Sequence, residues 1–336
     1  MQYLKILILT VFLLLCNFLH GQPALRNDLF DELETNAWYL QTEDGKARLY
    51  LTTLGKGDTV VALQGGPGNN FNYLVDAVRG NTDSICFILF DQRGSLYSNV
   101  ADSAVTDLSL DILVEDLETI RKETGQEKLT LFGHSFGTLL AISYYLRYPQ
   151  NVNKMVLTAS MPPFTPEDKT FMDLIPGIHG RLKALRNRPL VEQVLREEGL
   201  WEEKGLSSKQ LSDRFKITGL ASFNMVDLRN WRSLKGGRVF FNSAVEGAVG
   251  ATIPETYDIR EFLLRFPVPI VVIQGSEDYL RADEWQQLSG ENDCVRVHQV
   301  ESSSHYIWLD RAQKFNRLLG SALIGPTAGN RLSKEK

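Results

Sequence analysis

A serine, a carboxylate and a histidine that meet in space can break an acyl bond. The serine hydroxyl attacks once a base takes its proton, and the carboxylate holds that base in the right tautomer. Three short segments of this chain supply the set. "GHSFG" at 133–137 places Ser135 between two glycines, "GSEDY" at 275–279 carries Asp278, and "SSSH" at 302–305 ends on His305. Each follows an apolar run of the kind that forms a strand buried on both faces, at 129–132, 270–274 and 294–300. Glu277 competes with Asp278 for the acid; the spacing after "GS" favours Asp278. His305 is the one histidine placed on a loop after the last strand run. His20 lies in an N-terminal apolar leader, His134 flanks the serine, His179 falls among helices, and His298 lies within a strand.

The attack also needs donors for the developing oxyanion. "GGPG" at 65–68 ends another apolar run, and the amide of Gly66 is the candidate there. The second candidate is the amide of Phe136, at the start of the helix that follows Ser135. A serine at the tightest point of a strand-to-helix turn stands clear of the sheet, and the glycines at 133 and 137 remove side chains that would crowd it.

These segments must be positioned by a scaffold. "AWYLQ" and "ARLYLTT" alternate apolar with polar and read as an antiparallel hairpin through "EDGK". Runs at 59–64, 85–90, 129–132, 152–158, 270–274 and 294–300 are apolar nearly throughout, with helical periodicity between several of them. The pattern predicts an α/β fold, with a mostly parallel central sheet flanked by helices. From 161 to 265 the rhythm breaks into helical stretches, read as a cap inserted over the carboxyl ends of the strands. The expected organisation is a leader at 1–21, a core formed by 22–160 and 266–325, a cap at 161–265 and a flexible tail at 326–336.

Composition narrows the function classes. The chain has 336 residues, 43% hydrophobic and 23% charged, with a net charge of −5. That acidity gives no footprint for nucleic acid. "ILILTVFLLLC" after a single lysine reads as a secretory leader cleaved after Gly21, with a membrane anchor as the alternative, so a secreted or periplasmic protein is expected, with no membrane partner after the leader's removal. Cys16 leaves with the leader, and Cys86 and Cys294 are read as free thiols. No CxxC or histidine-rich spacing suggests a metal, and no cofactor is expected.

Together "GGPG", "DQRG" at 91–94, "GHSFG", "GSEDY" and "SSSH" resemble the α/β-hydrolase fold, whose triad runs in this chain order. More closely, they are similar to its proline iminopeptidase branch, over about 50–320. The resemblance implies a serine peptidase that releases one residue from a free N-terminus. It also implies an acid in the cap to hold the ammonium, with Glu246 the first candidate and Glu202 or Glu203 behind it. Asp91 and Arg93 are read as a structural loop ion pair. Two positions depart from the pattern: Gln64 replaces a histidine before the glycines, and "DQRGSLYS" lacks a second glycine and arginine. Both bear on the preference for proline. The alternative is an esterase or lactonase with the same triad; a non-catalytic binding protein is the remaining class.

Overall fold

The computed structural model describes residues 28–234 and 241–324; the leader at 1–21 and the tail at 326–336 lie outside them. Five of the apolar runs form the interior of one eight-stranded sheet; the sixth, at 294–300, is instead its edge strand, where Arg296 and Gln299 are exposed and only Val295 and Val300 are buried, because no further strand covers that side. The strands of the sheet are β1 (Trp38–Gln41), β2 (Arg48–Gly55), β3 (Asp58–Leu63), β4 (Ile85–Phe90), β5 (Leu129–His134), β6 (Val152–Thr158), β7 (Ile270–Gly275) and β8 (Val295–Val300). Their order is β1-β2-β4-β3-β5-β6-β7-β8. The β1–β2 and β2–β4 pairs are antiparallel and the rest are parallel, so the hairpin read from sequence forms an antiparallel edge.

The chain leaves β3 to one side, for β4, and returns to its other side for β5. In open parallel sheets such a reversal leaves a crevice beyond the carboxyl ends of the two strands, where ligands bind. The glycine-rich segment after β3 and the serine turn after β5 therefore face one another by topology.

Helices cover both faces. Leu113 and Leu117 of the helix Leu110–Glu123 pack with Leu139 and Tyr144 of the helix Phe136–Arg147 on one side. Leu74 and Val75 pack with Phe315 and Leu319 of the helix Ala312–Ile324 on the other. The inserted segment has its own apolar cluster around Val194, Ile217, Ala221 and Trp231. The sequence at 177–199, "GIHGRLKALRNRPLVEQVLREEG", reads as one helical stretch, but the structure divides it between two helices, Phe171–Arg186 and Pro189–Glu197. Pro189 drives Arg188 into extended backbone, with φ −58° and ψ 139°. The next helix, Ser208–Phe215, runs on into a π-helical turn at Lys216–Ala221.

Cys86 and Cys294 are both half-buried and form no disulfide. Among the described residues, no helix is long and apolar enough to cross a membrane, and no group of three or more His, Cys, Asp or Glu is placed to hold a metal.

The ion pair expected between Asp91 and Arg93 is not formed. Arg93 is buried and grips Asp116 through Nε at 2.9 Å, and reaches Asp44 in the β1–β2 turn through Nη1 at 2.6 Å. Asp91 accepts the amides of Phe71 at 3.3 Å and Tyr97 at 3.0 Å instead. Neighbours in a turn diverge, so each finds partners from other segments.

Candidate active site

Ser135 stands at φ 53° and ψ −122° between β5 and the helix Phe136–Arg147. A side chain rarely tolerates this backbone, which stores about 1–3 kcal/mol of strain. The surroundings hold it there. The Ser135 amide donates to the carbonyl of Thr158 at 3.1 Å, and its carbonyl accepts the Thr138 hydroxyl at 2.6 Å. Glycines permit the close approach of β3: a Cβ on Gly65 would lie 2.7 Å from the Ser135 Cβ, and one on Gly137 would strike the Leu63 carbonyl.

That contact brings the two proposed oxyanion amides to one place. Among the described residues, neither the Gly66 nor the Phe136 amide has a hydrogen-bond acceptor. The Phe136 amide is open because it begins a helix. The Gly66 loop is pinned from beneath by the buried Gln64, whose amide nitrogen donates to the Asn69 carbonyl at 2.7 Å.

Asp278 and His305 arrive on the loops after β7 and β8. The His305 Nδ1 lies 3.0 and 3.1 Å from the two Asp278 oxygens. Those oxygens are themselves held, Oδ1 by the Leu280 amide at 2.9 Å and Oδ2 by the Gln274 side chain at 3.0 Å. A carboxylate takes only donors, so Nδ1 carries the proton and the lone pair is left on Nε2. Asp310 anchors the histidine loop by accepting the amide of Ser304 at 2.8 Å and that of Val226 at 3.1 Å. The inserted segment and the histidine loop thus share one anchor.

Two side chains not singled out from sequence complete the surroundings. Tyr73 accepts the Gly65 amide at 2.6 Å and meets His134 Nδ1 at 2.7 Å, while His134 Nε2 faces the His305 carbonyl at 3.3 Å. These partners assign a neutral His134 protonated at Nε2. Burial, with His305 beside it, holds its pKa well below the usual histidine range. His134 therefore braces the glycine loop against the histidine loop. Tyr279 directly follows Asp278; its hydroxyl lies 2.9 Å from His305 Nε2, and its ring stacks on the imidazole at 4.3 Å. In this arrangement the tyrosine, not the serine, meets Nε2. Burial holds the tyrosine hydroxyl well above its usual pKa, so it stays protonated.

A cavity of about 650 Å³ opens onto Ser135 and His305. Glu246, on the helix Ser243–Gly250, is its one acidic lining residue among the described residues. Glu246 is open to solvent at the cavity wall, yet partial desolvation still raises its carboxyl, against the opposing pull of His179. Glu202 and Glu203 are exposed and do not line this cavity; Glu203 lines an adjoining pocket that shares Phe215 and Thr218 with it, and lies 4.0 Å from Arg214. The site thus gathers a hydroxyl, a carboxylate-oriented imidazole and two open amides around one space. Such a set can carry out acyl transfer.

Residues 58–312 match the sequence profile of the alpha/beta hydrolase fold, which is more than half of the chain. The chain belongs to the α/β-hydrolase family. Among the relatives of this α/β-hydrolase is a proline iminopeptidase of Saccharolobus solfataricus, 25% identical over 269 residues, covering 78% of this chain and 83% of the relative. A (lyso)-N-acylphosphatidylethanolamine lipase of Bos taurus is 26% identical over 217 residues, 62% of each chain. Among solved structures, a proline iminopeptidase-related protein from Thermus thermophilus superposes with TM-score 0.60 at 23% identity, covering 85% of this chain and 96% of its own. An esterase from Exiguobacterium antarcticum superposes with TM-score 0.55 at 20% identity, covering 84% and 97%. At these identities the solved structures speak to the fold.

Proposed function

We propose that this α/β-hydrolase is a serine aminopeptidase that releases the N-terminal residue of a peptide through an acyl-enzyme. The observation that carries the reading is Glu246, among the described residues the one carboxylate lining the cavity that also holds Ser135 and His305. A carboxylate there offers a counter-charge to a free α-ammonium.

In the proposed reaction the Tyr279 hydroxyl yields Nε2 of His305 to Ser135. His305 takes the Ser135 proton as Oγ bonds to the carbonyl carbon of the first residue. Asp278 stabilises the imidazolium. The amides of Gly66 and Phe136 receive the oxyanion, each donor being worth on the order of 10²–10³ in rate. The tetrahedral intermediate collapses, the C–N bond breaks, and His305 gives its proton to the departing amine. Water then repeats the sequence on the ester bond and frees the amino acid and Ser135. The leader read from sequence would place this activity outside the cytoplasm.

The second reading is an esterase or lactonase. It draws support from the lipase relative of Bos taurus, 26% identical over 217 residues. The deciding experiment compares proline arylamide, its N-acetyl derivative and a short p-nitrophenyl ester. Cleavage of the arylamide that is lost on acetylation supports the aminopeptidase. Turnover of the ester alone establishes the second reading in its place.

A further inference from the structure

The cavity has a direction. The segment that begins the helix Ser243–Gly250 lies over the glycine loop. The Asn242 amide donates to the Gly68 carbonyl at 2.9 Å, and Phe241 would come within 3.9 Å of a Cβ on Gly66. Glu246 stands on that helix, so the acyl half of a substrate lies toward it. A separate aromatic ladder runs from the imidazole. Tyr279 stacks on His305 at 4.3 Å, Phe223 meets Tyr279 edge-on at 6.0 Å, and the guanidinium of Arg186 lies over Phe223 at 4.7 Å. His305 returns its proton to the leaving amine, so the departing half of the substrate extends along this ladder.

Arg186 ends the helix Phe171–Arg186 and lines the same cavity at its exposed mouth. Its neighbours are committed to the fold: Arg181 Nε donates to the Tyr279 carbonyl at 2.5 Å, and Arg188 Nη2 to the Ser222 carbonyl at 2.8 Å. Arg186 has no carboxylate partner among the described residues. A guanidinium over a ring face still has N–H groups to offer the two oxygens of a carboxylate.

We propose that Arg186 binds the C-terminal carboxylate of the substrate, so that the preferred substrates are short peptides with both ends free. One anion toward the acyl side and one cation toward the leaving side match a zwitterion. Laid end to end, the contacts of the ladder reach no farther than roughly four extended residues of about 3.3–3.6 Å each, so the preferred peptides are short. The inference rests on the aminopeptidase reading and adds the recognition of the far end.

The test measures kcat/KM for a prolyl dipeptide and for its C-terminal amide, in the wild type, Arg186→Gln and Arg186→Lys, with proline arylamide as the reference for the peptidase itself. The wild type favours the free acid over the amide by about fivefold, chiefly through KM, as an accessible charge-assisted pair allows. In Arg186→Gln that ratio falls to about one, and Arg186→Lys keeps part of it. The wild-type ratio also shrinks as salt rises, because the pair is exposed. A ratio that is the same in wild type and Arg186→Gln overturns the carboxylate site while leaving the aminopeptidase standing. A wild type that cleaves neither arylamide nor peptide overturns both.

Discussion

The hydroxyl of Tyr279 lies 2.9 Å from Nε2 of His305, on the nitrogen that Ser135 must reach to lose its proton. The contact competes with the reaction. A net hydrogen bond of about 0.5–1.5 kcal/mol has to be given up first. Tyr279→Phe removes the competitor and keeps the stacked ring. Its reaction with a fluorophosphonate should quicken by roughly two- to tenfold over wild type. A tenfold or greater loss would instead make the hydroxyl a participant in proton transfer.

Strain at Ser135 sets a second expectation. At φ 53° and ψ −122° glycine is at ease and alanine is not. Ser135→Gly should therefore exceed Ser135→Ala in stability by about 1 kcal/mol, read from urea unfolding. Both variants should lose turnover and fluorophosphonate labelling while folding normally. Retained turnover in either would remove Ser135 from the reaction.

Much of this was legible in the sequence. Ser135 and Asp278 each follow a run whose continuous apolarity marks a buried strand, with glycine in the turn beyond; His305 follows a strand with polar residues at 296, 298 and 299 and a turn of serines. Short-range pattern carries that information. Tyr279 stood in plain sight within "GSEDY", but its meeting with residue 305 depends on how two loops fold back on each other. The same holds for Arg93, whose partners at 44 and 116 come from a hairpin turn and a helix. Adjacency in the chain suggested Asp91; the fold sends the two side chains to different neighbours. The split at Arg188 could have been read from Pro189 alone.

Glu246 can be tested apart from the triad. Glu246→Gln keeps the size and removes the charge. The preference for free over N-acetylated proline arylamide should drop by about tenfold, mostly through KM. An unaltered preference would assign the ammonium to another group.

Asp91 gives a pH dependence with a defined sign. Burial pushes its carboxyl up to about 6, although the amides of Tyr97 and Phe71 pull it down; the ordinary value is 3.8. Between those values the native protein keeps a proton that the unfolded chain releases. The stabilisation is therefore complete below the lower value and is lost as pH rises through the upper one. Relative to Asp91→Asn, the wild type should lose about 2–3 kcal/mol between pH 4 and 7, measured by urea denaturation. Parallel curves for the two proteins would exclude Asp91 as the source.

Removing the centre of the Asp44–Arg93–Asp116 cluster should be costly. Arg93→Met leaves Asp116 buried and uncompensated, at about 3–5 kcal/mol. Asp44 is partly exposed and adds little. A loss below 1 kcal/mol in urea unfolding would show that Asp116 takes up a proton or finds water instead.

The π-helical turn at Lys216–Ala221 places Thr218, Gly219 and Leu220 on the cavity wall. Such a turn holds one residue more than regular winding needs. Deleting a single residue there would let the segment rewind and swing its neighbours by about a quarter-turn relative to Ser135. Descendants of this chain could thus reshape the chamber by a change of length, with no exchange of side chains.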